Sequence, residues 1–198
     1  MTGLFAPTEG ATPIPPDEQK KLIPSWITTR EDLNVAEEDN IGKGLAWAQR
    51  RRAKSLTIAT DAYSRAIHKA MFGDVWRWAG EYRKIELEGI GAPSWRTAND
   101  CAVLFDNFRY WIEHGTYPPD ELAVRFHHQL VFVHPFTNGN GRHSRMMADL
   151  LVESLGGKAF TWGDGDLQDT GELRETYIAT LKKADANDID DLLAFART

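Results

Sequence analysis

The sequence predicts a mainly α-helical bundle with one short β-hairpin, built as a single domain. Three observations predict it. Apolar residues recur at helical spacing along most of the chain. Capping residues and glycines bracket those stretches. Only Arg83 to Glu88 alternates as a strand would, before a turn at Gly89, Gly91 and Pro93. A chain of 198 residues suits one hydrophobic core.

The elements follow in order. Residues 1–28 read as a proline-rich N-terminal arm, with Pro7, Pro13, Pro15, Pro16 and Pro24, extended over the domain or partly disordered. Residues 29–198 read as the domain. Thr29 caps its first helix with Asp32 three residues on, and Leu33, Ala36, Ile41, Leu45 and Ala48 form the apolar stripe. A second helical stripe runs from Ile58 to Met71, and Gly80 is expected to end a helix. Thr97 is the expected cap of "TANDCAVLFDNFRYWIEHG", which Gly115 stops. "PPDELAVRFHHQLVFV" opens on proline and acids, as helices prefer. "GRHSRMMADLLVESLGG" follows, then a helix opened by an Asp169/Glu172 capping pair, then a short one in "DIDDLLAFAR". Short loops are expected between them.

Composition narrows the function. The net charge of -6 argues against nucleic acid as a direct partner. A single cysteine, Cys101, sits among apolar neighbours, reads as core, and fits a reducing cytoplasm. The N-terminus has no signal-peptide pattern, and no apolar run is long enough for a membrane span. Adjacent His127 and His128 would point about 100° apart on a helix with no Glu or Cys to complete a zinc set, so they read as loop support and surface or core partners.

The chemistry concentrates in "HPFTNGNGRHSR", residues 134–145. Gly139 and Gly141 let backbone approach a ligand or take positive φ. A helix N-terminus there offers unpaired N–H groups to an anion. Arg142 and Arg145 project on similar faces of its first turn, where cations oppose the helix dipole unless an anion sits between them. Arginine also grips phosphate in bidentate fashion. His134, with an ordinary pKa near 6.5, is a candidate general base, and Pro135 is expected to hold it extended. Phe136 is expected to anchor the loop. Together these are the parts for transferring a phosphate-containing group to a protic acceptor.

This stretch resembles the signature of the Fic (Fido, Fic–Doc) family, HPFx(D/E)GNGRxxR. "IHKAMFGDVWRWAGEYR" resembles the segment before that family's flap, and "RETYIATLKKADANDIDDLLAF" its closing helix pair, so the likeness spans about residues 55–196. The wording is also similar to a subgroup called mobile mystery protein B, found beside a small helix-turn-helix protein. The resemblance implies a Fic-type helical bundle that moves AMP from ATP to a Ser, Thr or Tyr hydroxyl of a target protein. His134 would take the proton. Asn138, Gly139, Asn140, Gly141, Arg142 and Arg145 would form the nucleotide site, with Mg²⁺ or Mn²⁺ expected. A flap carrying Lys84, Ile85, Ile90 and Trp95 would pin the target by strand addition.

Asn138 departs from the pattern, standing where the family has a metal-binding acid; it offers an oxygen but no charge. The alternative reading is thus a nucleotide-binding regulatory or toxin–antitoxin-type interaction module with weak or no turnover. Many members are held off by a helix whose Glu pairs with the second motif arginine. Glu37 and Glu38, in the candidate inhibitory helix 29–53, are the nearest candidates for pairing with Arg145. Which phosphorus is attacked, and whether the protein oligomerises, stay open at this stage.

Overall fold

The computed structural model describes residues 14–87, 91–165, 167 and 171–198. The helices are α1 (Pro16–Gln19), α2 (Arg30–Arg51), α3 (Ser55–Ile58), α4 (Asp61–Phe72), α5 (Thr97–His114), α6 (Pro119–Val133), α7 (Asn140–Ser154), α8 (Glu172–Asp185) and α9 (Asp190–Ala196). α2 packs on α4, α6 on both α5 and α7, and α8 on α9. Ile67, Met71, Phe72, Phe108, Phe126 and Met147 fill the shared interior and are fully buried.

Local chemistry accounts for several helix ends. Thr29 and Asp32 form a reciprocal capping box at α2. Pro119 occupies the first turn of α6, with Asp120 and Glu121 beside it. Gly115 takes φ 58° and stops α5. Where α2 crosses α4, a Cβ on Gly44 would stand 2.7 Å from Met71 Cγ, so the close approach itself requires glycine.

Several expectations are corrected. No β-hairpin forms among the described residues; their single bridge joins Leu22 to Trp76. It is flanked by Ile23 N–H to Val75 O and Arg77 N–H to Lys21 O, which tie part of the N-terminal arm onto the domain. α4 stops at Phe72 with Gly73, while Gly80 makes a turn at φ 79° and ends no helix. Thr97 does not cap α5. A 3₁₀ turn, Ser94–Arg96, runs straight into the helix, so Thr97 is already helical and its buried hydroxyl has no partner. Asp169 lies outside the described residues, and α8 begins after Gly171 with no side-chain cap. The α7–α8 connection is long. Asp149 organises it by accepting from Phe160 N–H and Trp162 Nε1, at 3.1 and 3.0 Å. Leu45 is exposed. The inward face of α2 instead carries Leu33, Glu37, Asn40, Gly44 and Ala48, and two of those are polar.

Candidate active site

The loop between α6 and α7 is held by buried polar bonds. Asn140 accepts from Phe136 N–H at 2.9 Å and donates to Phe136 O at 2.8 Å, closing the loop on itself. His68 stacks on the fully buried Phe136 ring, with centroids 3.7 Å apart. Gly80 N–H donates to His68 Nδ1 at 3.0 Å, so Nε2 carries the hydrogen and donates to Asn138 O at 3.1 Å. His143 sits edge-on to Phe136 and bonds Ser64 O through Nε2 at 3.0 Å. Burial keeps both imidazoles neutral; His143 is pushed down to about 4. The Asn140 side chain is therefore committed to the loop, and only its backbone N–H remains for a ligand.

His134 ends α6 in the left-handed region, φ 53° and ψ 60°, rather than extended as expected. Pro135 disfavours only the right-handed helix at this position. The left-handed cap lets His134 N–H reach Leu130 O at 3.0 Å. Arg83 locks the turn: its Nε donates to His134 O at 2.7 Å and its backbone N–H to Pro135 O at 2.9 Å. His134 Nδ1 donates to Val131 O at 3.1 Å, which leaves the lone pair on Nε2. Burial pushes the His134 pKa down to about 4, well below the expected 6.5, so the ring is neutral near pH 7.

Gly139, at φ 77°, precedes α7 without any side-chain cap, so the first-turn N–H groups lack intrahelical partners. A Cβ there would meet the Phe72 ring at 2.6 Å. Arg142 Nη2 pairs with Glu37 Oε2 at 2.8 Å, and the guanidinium lies over Phe72. Glu37 Oε1 also accepts from Trp76 Nε1 at 2.7 Å. The acid facing the motif is thus Glu37, and its partner is Arg142, not the expected Arg145. Glu38, one position on and rotated off that face, is exposed. Arg145 lies over Tyr177. Asn138 Oδ1 sits 3.4 Å from Arg142 Nη2.

The described residues of the expected flap are tied by side chains, with no strand pairing among them. Glu86 accepts from Ser94 N–H and Oγ, at 2.9 and 2.6 Å. Arg83 donates to Ile85 O at 3.0 Å and also to Ala92 O. Gly91 packs against His134, where a Cβ would stand 2.6 Å from His134 Cβ. Lys84 is exposed and Ile85 partly buried, while Trp95 is 80% exposed. Ile90 lies outside the described residues, as do Glu88 and Gly89. His127 and His128 bond Tyr177 and Asp185, both at 2.9 Å, away from the loop.

Residues 59–152 match the Fic/DOC family model. Over that segment the chain is similar to the Fic/DOC family. Over 94 residues the chain is 34% identical to "Protein adenylyltransferase Fic" of Drosophila virilis, covering 46% of this chain and 19% of the relative. The Drosophila melanogaster protein of that name is 35% identical over the same shares. The chain spans about a fifth of the length of these curated relatives. Among solved structures, the N-terminal Fic domain of a Bartonella quintana effector with bound ADP aligns with TM-score 0.64 at 19% identity, covering 87% of this chain and 86% of that one. BepC of Bartonella tribocorum with bound AMPPNP aligns with TM-score 0.63 at 18% identity, covering 90% and 94%. Fic-1 of C. elegans (aa134–508) aligns with TM-score 0.61 at 23% identity, covering 81% and 48%. At these identities the structural likeness is one of fold.

Sequence reasoning missed the residues that support the α6–α7 loop. His68 lies on an apolar helical stripe, which gave no hint of its bond to Asn138 O. Arg83 was legible only as part of a resemblance, not as the bracket between flap and His134. That Glu37, rather than Glu38, lies on the buried face of α2 was within reach, since it follows Leu33 by four residues.

The buried histidines set a pH dependence. His68, His127, His134 and His143 all have folded pKa values lowered by burial. Their unfolded values lie near 6.5. Below that pH the unfolded chain binds protons that the native state refuses, so stability is full above about pH 6.5 and is lost as pH falls toward 4. Asp149, raised to about 6 by burial, acts in the opposite sense between about 4 and 6 but is a single group. Urea unfolding should therefore show a loss of roughly 1.4 kcal/mol per pH unit per net proton between pH 6.5 and 5. A flat profile would contradict the buried, neutral assignment.

Proposed function

We propose that this protein is an adenylyltransferase that moves AMP from ATP to a Ser, Thr or Tyr hydroxyl of a target protein. One observation carries the reading. A neutral imidazole with its lone pair on Nε2 ends the helix on one side of a pinned loop, and an uncapped helix N-terminus with two arginines begins the other. The curated relatives' name and the ADP- and AMPPNP-bound neighbours support the same chemistry. The hydroxyl oxygen attacks the α-phosphorus and forms the new P–O bond. The bond to pyrophosphate breaks, and the hydroxyl proton passes to His134 Nε2. Backbone N–H groups of Gly139, Asn140 and Gly141 cradle the α- and β-phosphates, and Arg142 and Arg145 take the β- and γ-phosphates. Trp95, with Lys84, Ile85 and Ile90, belongs to the surface that receives the target.

The residues present do not fit a protein-held Mg²⁺. Asn138 brings no charge, and Glu37 is engaged by Arg142 and Trp76. Among the described residues no cluster of three His, Cys, Asp or Glu could hold a metal. The wording of the motif supports placement in the mobile mystery protein B subgroup, with a small helix-turn-helix protein as a further partner. No helix among the described residues is long and apolar enough to cross a membrane. We also propose that α2, within residues 29–53, is inhibitory: the Glu37 carboxylate takes the place of a phosphate oxygen on Arg142. This observation favours a resting, nucleotide-poor state as the second reading.

Incubation with α-labelled ATP should label protein, and γ-labelled ATP should not. His134→Ala should lower the α-label rate by about 10²–10⁴-fold. Transfer of the γ-label, or a fully active His134→Ala, would sink the proposal. Glu37→Gln keeps an acceptor for Trp76 but removes the charge facing Arg142. Calorimetric titration should show ATP binding about tenfold tighter, alongside lower stability of the ATP-free protein. An unchanged Kd would remove Glu37 from the account.

A further inference from the structure

A hollow lies far from residues 134–145, where the C-terminal end of α2, the short α3 and the C-terminal end of α7 converge. It has a volume of about 660 Å³, within the range that small-molecule sites occupy. Ala48, Ala53, Ile58 and Leu150 line it with apolar surface. From Glu37 to Gln49, and from Arg142 to Glu153, the helices rise roughly 16–18 Å, so the hollow is separate from the phosphate cradle.

Two features single this hollow out. The first is Tyr63, which lines it and is more than nine-tenths buried. Its hydroxyl is inaccessible to solvent and makes no hydrogen bond. A buried phenol without a partner is costly, so a position that keeps one calls for a ligand or water to satisfy it. The second is charge. The rim carries Arg52 and Lys54, from the run "RRRAK" at 50–54, and neither makes an ion pair among the described residues. Glu153 is the one carboxylate on the lining, and Gln49 and Ser154 supply further polar groups. The lining thus sets two cations against one carboxylate, in a chain whose net charge is -6. Ser154 Oγ already donates to Leu151 O at 2.7 Å, so toward the hollow it can only accept.

We propose that this hollow is a binding site for a small anionic metabolite with an apolar, ring-sized body. The body lies on Ala48, Ala53, Ile58 and Leu150. The carboxylate or phosphate meets Arg52 and Lys54, and ligand entry turns the Tyr63 hydroxyl out to a polar atom on the ring. The charge on Glu153 disfavours a second anionic group at the far side and suits a ligand with one anionic end. The proposal stands apart from the adenylyl-transfer reading, because it concerns no motif residue and its test needs no ATP.

The test is ¹H–¹⁵N spectroscopy of the full chain, titrated with 4-hydroxyphenylacetate, with phenyl phosphate, and with inorganic phosphate alone. At least one aromatic anion should saturate, with shifts confined to residues 48–58, 63 and 150–154, and inorganic phosphate should leave those residues unmoved. Tyr63→Phe, which removes only a hydroxyl without a partner, should fold as the parent does and bind that anion roughly three- to tenfold more weakly. Arg52→Asn with Lys54→Gln should weaken it about tenfold or more; asparagine tolerates the left-handed conformation that Arg52 adopts at φ 45°. Absence of saturable shifts at these residues with either aromatic anion would overturn the proposal. So would shifts confined to residues 134–145, or equal binding by parent and both variants.

Discussion

The site depends on one buried amide. Asn140 accepts from and donates to the backbone of a single residue, Phe136, and so closes the six-residue connection between α6 and α7 into a fixed loop. Everything functional is positioned from it. Phe136 is driven into the core between His68 and His143, which places the carbonyl of Asn138 on His68 Nε2. The loop then enters α7 through Gly139, whose positive φ and contact with Phe72 leave no room for a side chain. On its other side the loop leaves α6 through a left-handed His134 gripped by Arg83. Buried bonds of this kind are costly to break, because each leaves a desolvated polar group behind. A base and an anion cradle are thereby kept in register without a ligand to hold them.

The second constraint is electrostatic. Arg142, in the first turn of α7, opposes the helix dipole and is largely buried. Such a cation requires a counter-charge, and α2 supplies Glu37. That demand shapes α2 itself. Its inward face carries Glu37 and Asn40 where apolar residues would otherwise pack, and Asn40 ties the helix to Ala70 O and Asp74 N–H at 3.0 and 2.8 Å. The same pair that stabilises the resting protein occupies the group best suited to a phosphate. Folding and restraint of the site are therefore properties of one contact.

Much of this was legible in the sequence. The helices are carried by local rules, such as the Thr29 capping box, Pro119 in a first turn, and Gly115 in a left-handed stop. The motif was legible because its residue types combine in only a few chemically sensible ways. What could not be read were choices made by tertiary contact. Alternation in Arg83 to Glu88 implied a hairpin, but among the described residues the Arg83 side chain holds Ile85 O and Ala92 O, and Glu86 holds Ser94 N–H. Pre-proline restriction implied an extended His134, but the left-handed region was also open to it. Thr97 had the residue type of a cap, yet the 3₁₀ turn before it had already begun the helix. The pairing of Glu37 with Arg142 needed the crossing of α2 over α4, which no local rule supplies.

The most direct test of the account is Asn140→Asp, read by hydrogen exchange and urea unfolding. The change is isosteric, keeps an acceptor for Phe136 N–H, and sets a carboxylate oxygen against Phe136 O. The account predicts faster exchange concentrated in residues 134–143 and a loss of roughly 2–3 kcal/mol of stability. Unaltered exchange in that loop, with stability within about 0.5 kcal/mol of the parent, would show that the loop is held by something other than this amide.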